Sequence, residues 1–155
     1  SSKNVPAKLC SLYTLSEWGP LVLETATDKD LKQLLQTSST DPYTRIYLCE
    51  AIGNIFCNSS SEYTSAACQA LMRFLKDDNE QVRFTAACSL VKLGSGASDA
   101  TDLLQDIVYS DTNRYVVGYC LDALESIGTR ESLAILLHYM KHHRWCNMTT
   151  IKSPF

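Results

Sequence analysis

The sequence predicts an all-α fold built from about three to four stacked helical hairpins. Residues 79–94 form a segment that recurs after a shift of 34 residues and, towards the N-terminus, after a shift of 38. Within each copy, apolar residues are spaced by three and four, which is the pattern of one buried stripe on an α-helix. A repeat of this length indicates stacked helix pairs that share a continuous core.

Equivalent positions of the three copies carry apolar or small residues, and we expect them to be buried. In chain order these are Leu48, Ile52 and Ile55, then Ala86, Leu90 and Leu93, then Cys120, Leu124 and Ile127. Small residues such as Ala86 and Cys120 allow neighbouring helices to approach closely.

Residues suited to turns and helix caps precede the first helix of each predicted hairpin. Asp41-Pro42, Asp77-Asp78-Asn79 and Asp111-Thr112-Asn113 precede the three helices and supply N-cap side chains. Gly94 and Gly128 follow the later two helices, where glycine accepts a left-handed backbone at low cost.

A second amphipathic helix follows each first helix, at residues 62–76, 98–109 and 130–143. In the last of these, the spacing predicts that one apolar face is buried, formed by Leu133, Leu136, Leu137 and Met140.

We expect one domain over residues 1–155. It comprises a degenerate N-terminal cap hairpin at 5–38, repeats at 39–76, 77–110 and 111–144, and a C-terminal tail at 145–155. In the cap, Leu21–Glu24 and Asp30–Gln36 are the predicted helical parts. Trp145 and Phe155 in the tail are expected to cover the edge of the last hairpin.

The string Val82-Arg83, Ala86-Ala87, Leu90 and Leu93-Gly94, preceded by Asp77-Asp78, resembles the HEAT repeat in the short form of phycobilisome-lyase-like proteins. The resemblance is closest in repeat 77–110 and weaker at 111–144, where Val117 replaces the arginine, and at 39–76. It implies a right-handed superhelix of antiparallel helix pairs, a HEAT-like solenoid, with the second helices lining a concave face.

Charge, hydropathy and cysteine pattern exclude some classes of partner and indicate the cellular compartment. The net charge is -3 and the basic residues are scattered, so we expect no nucleic-acid partner. No apolar run approaches the roughly 20 residues that span a bilayer. Cys49, Cys68, Cys88 and Cys120 fall in helical apolar patterns, which favours free thiols and a cytoplasmic location.

Two groups of residues are candidates for metal binding or for ion pairs. His138, His142 and Cys146 recur every four residues and are weak candidates for metal ligands. We favour the alternative that the histidines are cations at the negative end of a helix, and we expect no metal. Arg45 and Arg83 are expected to pair with an aspartate of the neighbouring turn, such as Asp78 or Asp111.

No motif for nucleophilic catalysis or phosphate binding occurs, so the sequence favours a non-enzymatic scaffold or adaptor that binds a protein on the concave face. The predicted partner-binding residues are Gln69, Arg73, Asp102, Gln105, Tyr109 and Trp145. The resemblance implies an alternative: a phycobilin lyase-like or phycobilisome-degradation factor that binds a bilin chromophore or a phycobiliprotein. Apart from that bilin, no cofactor is expected.

Overall fold

The computed structural model describes residues 5–57, 59 and 62–143, and all regular secondary structure in these ranges is helical. Their α-helices are, in chain order, α1 (Val5–Trp18), α2 (Val22–Thr25), α3 (Asp28–Gln36), α4 (Pro42–Ile55), α5 (Thr64–Phe74), α6 (Glu80–Leu93), α7 (Thr101–Ser110), α8 (Arg114–Ile127) and α9 (Arg130–His143). Short 3-10 segments occupy Gly19–Leu21 and Gly94–Ala100. The predicted all-α class is confirmed.

The helices stack as hairpins in two layers. The first helices pack directly on one another in the order α1, α4, α6 and α8, and they share the most extensive interfaces. The second helices α3, α5, α7 and α9 form the other layer, in which α3 contacts α5 and α7 contacts α9. Because each hairpin packs on its neighbour in the chain, the fold is a helical solenoid.

An apolar seam runs through the first helices and holds the hairpins together. It consists of the nine repeat-equivalent residues, none of which is more than 3% exposed: Leu48, Ile52, Ile55, Ala86, Leu90, Leu93, Cys120, Leu124 and Ile127. Burying one leucine or isoleucine side chain contributes about 1.5–3 kcal/mol. The seam is therefore a main source of stability, as the repeat predicted.

Local capping explains where the first helices begin and end. Asp41 accepts a hydrogen bond from the Thr44 backbone N–H at 2.7 Å, and Asn79 and Asn113 accept from backbone N–H groups of their own first turns. Gly94 and Gly128 follow the last residues of α6 and α8 with φ of 59° and 68°. These are the predicted caps.

Ion pairs link consecutive hairpins along the same edge. The Arg45 guanidinium contacts the Asp77 carboxylate, with Nε 2.7 Å from Oδ2 and Nη2 donating to Oδ1 at 3.0 Å. Arg83 contacts Asp111 in the same way, with Nε donating to Oδ2 at 2.7 Å. The predicted structural role of both arginines is confirmed, but the partner of Arg45 is Asp77 rather than Asp78.

Asp77 is selected over Asp78 because of the turn geometry. The Oδ1 atom of Asp77 also accepts the Asn79 backbone N–H at 2.9 Å, which directs its carboxylate towards Arg45. Asp111 accepts the Asn113 backbone N–H at 2.8 Å in the same way. Asp78 is exposed instead.

The two first helices α4 and α6 approach closely at Gly53. A Cβ atom on Gly53 would lie 2.7 Å from the Ser89 Cβ atom, closer than real Cβ contacts allow. Ser89 is buried, and its hydroxyl donates to the Cys49 carbonyl at 2.8 Å. A glycine is needed here for space, while its backbone is ordinary helix.

The N-terminal cap differs from the sequence prediction. Residues 21–24 form only the end of a 3-10 segment and the start of the one-turn helix α2, and the helix that packs on α4 is α1. Within α1 the buried residues are Leu12 and Ser16, so its amphipathic pattern is too weak to identify from sequence. The predicted helix at 30–36 is present as α3.

The predicted burial of the α9 face is wrong for three of its four residues. Leu133, Leu137 and Met140 are 38%, 66% and 45% exposed, and Leu136 is half-buried. The reason is that α9 packs mainly on α8 and α7, and no described hairpin follows it to cover its outer side. Trp145 and Phe155, predicted to cover this edge, lie outside the described residues.

Asp111→Asn should destabilise the fold by about 2 kcal/mol at neutral pH, because it leaves the part-buried Arg83 guanidinium without its charged partner. Burial alone would raise the pKa of Asp111, but hydrogen bonds from Arg83 and the Asn113 backbone lower it below the ordinary value. The ionised Asp111 side chain therefore contributes its full stabilisation above the ordinary aspartate pKa. This contribution is lost as the pH falls through the lowered pKa of Asp111 in the folded protein. Urea unfolding at several pH values measures this difference.

Asp78→Asn is the control, since Asp78 is an exposed aspartate of the same kind of turn. It should change the free energy of unfolding by less than about 0.5 kcal/mol. Equal effects of the two substitutions would show that the ion pair does not stabilise the stack.

Gly53→Ala should destabilise the protein by roughly 1–3 kcal/mol, because the added methyl group must push α4 away from Ser89 on α6. Gly118→Ala is the matched substitution, since a Cβ atom on this helical glycine meets nothing within 4 Å. It should stabilise by about 0.5–1 kcal/mol through helix propensity. Thermal unfolding of both variants should show a lower stability for Gly53→Ala and a higher one for Gly118→Ala. A stabilising effect of Gly53→Ala would contradict the close approach of α4 and α6.

Candidate functional site

Five of the predicted partner-binding residues are exposed on second helices. Gln69 and Arg73 lie on α5, and Asp102, Gln105 and Tyr109 lie on α7. Trp145, the sixth, lies outside the described residues. The structure separates the five into three environments.

The first environment is a cavity of about 690 Å³ between α3 and α5, which contains both predicted α5 residues. We call it the α3–α5 groove. Its lining residues are Lys32, Leu35, Gln36, Tyr63, Ala66, Gln69, Ala70 and Arg73.

The α3–α5 groove combines apolar surface with positive charge. Leu35 and Ala70 are buried and supply its apolar base. Lys32 and Arg73 are exposed and bring two cationic groups to its edge, while no acidic side chain is among the lining residues. The groove therefore favours a ligand with an apolar part and a negative charge.

Arg73 also holds the groove together. Its Nη2 atom donates a 2.6 Å hydrogen bond to the Leu35 carbonyl in the last turn of α3. A cation at this end of a helix is favourable because the helix dipole is negative there. The guanidinium retains further N–H donors for a ligand.

Tyr63, just before α5, also lines the groove. Burial and the neighbouring Asp28 carboxylate raise the pKa of Tyr63 to about 12. The phenol is thus neutral at physiological pH and adds no charge to the groove.

Asp102 and Gln105 form the second environment, an open surface on α7. Both side chains are exposed and have no hydrogen-bond partner among the described residues. They are available for a partner, but they are not among the residues that line the α3–α5 groove.

Tyr109 belongs to a third environment, an aromatic cluster with α9. Its hydroxyl lies 2.9 Å from His138 Nδ1, and its ring centroid is 5.8 Å from those of Tyr139 and His143. The cluster ties α7 to α9, and these intramolecular contacts fix the orientation of the exposed Tyr109 side chain.

A family model described as HEAT repeats matches residues 29–118, from the start of α3 into α8. The chain belongs to the HEAT repeat family. No curated protein and no solved structure matches it.

HEAT repeats generally mediate protein–protein interactions, which agrees with the exposed polar surface of the second helices. The match is to HEAT repeats in general and does not single out the phycobilisome-lyase type. In the described part of the chain, no helix is long and apolar enough to cross a membrane.

The candidate metal ligands are only partly brought together in this HEAT protein. The His138 and His142 rings lie close, with centroids 4.4 Å apart, whereas Cys146 lies outside the described residues. Among residues 5–57, 59 and 62–143, no group of three His, Cys, Asp or Glu side chains could hold a metal ion.

The helical cysteines of the HEAT core are structural. Cys49, Cys68 and Cys120 are buried free thiols. Burial raises the pKa of Cys68 to about 11 and of Cys120 to about 12, and it raises that of Cys49 as well. Since the thiolate is the reactive form, these residues are poor nucleophiles. Cys88 is half-buried rather than fully buried.

The α3 side of the groove was not predicted from the sequence. Lys32, Leu35 and Gln36 belong to the degenerate cap, which the repeat alignment does not reach. The available signal was the strong amphipathic pattern of residues 28–36 together with the Thr27 and Asp30 capping box that starts α3.

Proposed function

We propose that this HEAT repeat protein is a non-enzymatic adaptor that binds a protein partner in the α3–α5 groove. The partner inserts an apolar side chain over Leu35 and Ala70, and a neighbouring carboxylate lies between Lys32 and Arg73. The observation that supports this proposal is a groove with an apolar base, two cationic groups and no acidic lining residue.

The exposed α7 residues extend this surface. Asp102 and Gln105 are exposed on the next second helix and offer an acceptor carboxylate and an amide. A partner segment long enough to pass from α5 to α7 would place its acidic residues on the α3–α5 groove and basic or polar residues on α7. Because the α3–α5 groove is positively charged and Asp102 on α7 is negatively charged, the partner segment should bind in one orientation along the surface.

Peptides selected from a displayed random library against the whole chain test the proposal. We expect the selected peptides to combine acidic and apolar residues. Lys32→Glu should weaken their binding about tenfold or more, measured by fluorescence polarisation, because it places a negative charge against the peptide carboxylate. Lys32 is preferred to Arg73 for substitution, because Arg73 also bonds to the Leu35 carbonyl.

Lys8→Glu makes the same charge change on exposed α1, in the first-helix layer, and should leave the affinity within about twofold. Circular dichroism verifies that both variants retain their helices. Equal loss in the two variants, or selected peptides without acidic residues, would contradict the proposed groove. A visible absorption band that shifts when the protein is mixed with bilin would favour the chromophore-binding alternative.

A further inference from the structure

His138 and His142 lie one turn apart on α9, and both side chains are exposed. Their ring centroids are 4.4 Å apart and the ring planes are inclined by 46°. Two histidines at positions i and i+4 of a helix can bind one transition-metal ion from the same face. We propose that His138 and His142 together bind Zn²⁺ through one imidazole nitrogen each.

The ring geometry is close to what such a site needs. With Zn–N bonds of about 2.1 Å in a tetrahedral arrangement, the two ligand nitrogens lie roughly 3.4 Å apart. The two exposed rings have centroids 4.4 Å apart, so rotation about their side-chain bonds can bring one nitrogen of each ring to this separation. The helix backbone does not have to move.

Tyr109 orients the first of the two ligands. Its hydroxyl lies 2.9 Å from His138 Nδ1, across the interface between α7 and α9. When Nδ1–H donates to this hydroxyl, the lone pair is on Nε2, which is the tautomer that binds a metal. Tyr109 is thus a positioning residue for the site.

His142 is free to be the second ligand. No hydrogen bond from the described residues occupies either of its ring nitrogens. His142 also lies in the last turn of α9, where the negative end of the helix dipole attracts a cation. No third ligand is present among the described residues, so water or a side chain of a bound partner takes the remaining positions.

His143 is adjacent but is arranged differently, which makes it the control. Its ring stacks on that of Tyr139 with centroids 4.0 Å apart and an angle of 8°. Its Nδ1 atom lies 3.1 Å from the Tyr139 carbonyl. These contacts hold the His143 ring in an intramolecular stack.

A Zn²⁺ titration of the full chain, followed by ¹⁵N NMR of the histidine rings, tests the proposal. The chain should carry Cys146→Ser, so that a thiol four residues beyond His142 does not contribute. We expect ring nitrogen signals of His138 and His142 to shift together and those of His143 to remain in place.

His138→Ala and His142→Ala should each weaken Zn²⁺ binding by at least about tenfold, since loss of even an orienting partner of a ligand costs 10–100-fold. His143→Ala should leave it within about twofold, and Tyr109→Phe should weaken it while the helix content is unchanged. The proposal is overturned if neither ring shifts with Zn²⁺, or if His143→Ala weakens binding as much as His142→Ala.

Discussion

The burial of one apolar stripe on each first helix is the constraint on which the rest of the structure depends. A single hairpin of this HEAT repeat chain cannot bury the whole stripe, and the neighbouring first helices complete its cover. One position of the stripe is accordingly occupied by Ile52, Leu90 and Leu124 in successive repeats, and all three are completely buried. The Arg45 and Arg83 ion pairs join the turns beside this seam, so they fix how one hairpin sits on the next.

The proposed binding surface follows from the same constraint. Since α5 and α7 pack their own apolar sides, with residues such as Leu71 and Leu104, against the same core, their outer sides remain polar and carry residues such as Gln69. The α3–α5 groove arises where Leu35 and Ala70 supply apolar surface between two such helices, and Arg73 bonds them together through the Leu35 carbonyl. The groove therefore forms because the hairpins stack, and the stacking keeps it open.

Features encoded by local patterns could be predicted from the sequence, whereas features that depend on neighbours could not. The repeat spacing identified the buried positions Ala86 and Cys120, and the caps at Asn79 and Asn113 follow from local turn chemistry. The exposure of Leu137 could not be predicted, because periodicity identifies an apolar face without showing whether another helix covers it. Of the candidate site, the α5 side was predicted and Lys32 was missed, since pairing between α3 and α5 is a tertiary property.

The native cysteines allow the most direct test of whether the apolar seam is continuous. Cys49 and Cys120 are buried in α4 and α8, near the two ends of the seam, whereas Cys10 is exposed on α1. Thiol labelling in native buffer, read by peptide mass spectrometry, should modify Cys10 rapidly and leave Cys49 and Cys120 unmodified. Both buried thiols should then become reactive at the same denaturant concentration, because one continuous seam protects them. Labelling of Cys120 in native buffer at a rate close to that of Cys10 would contradict the continuous seam.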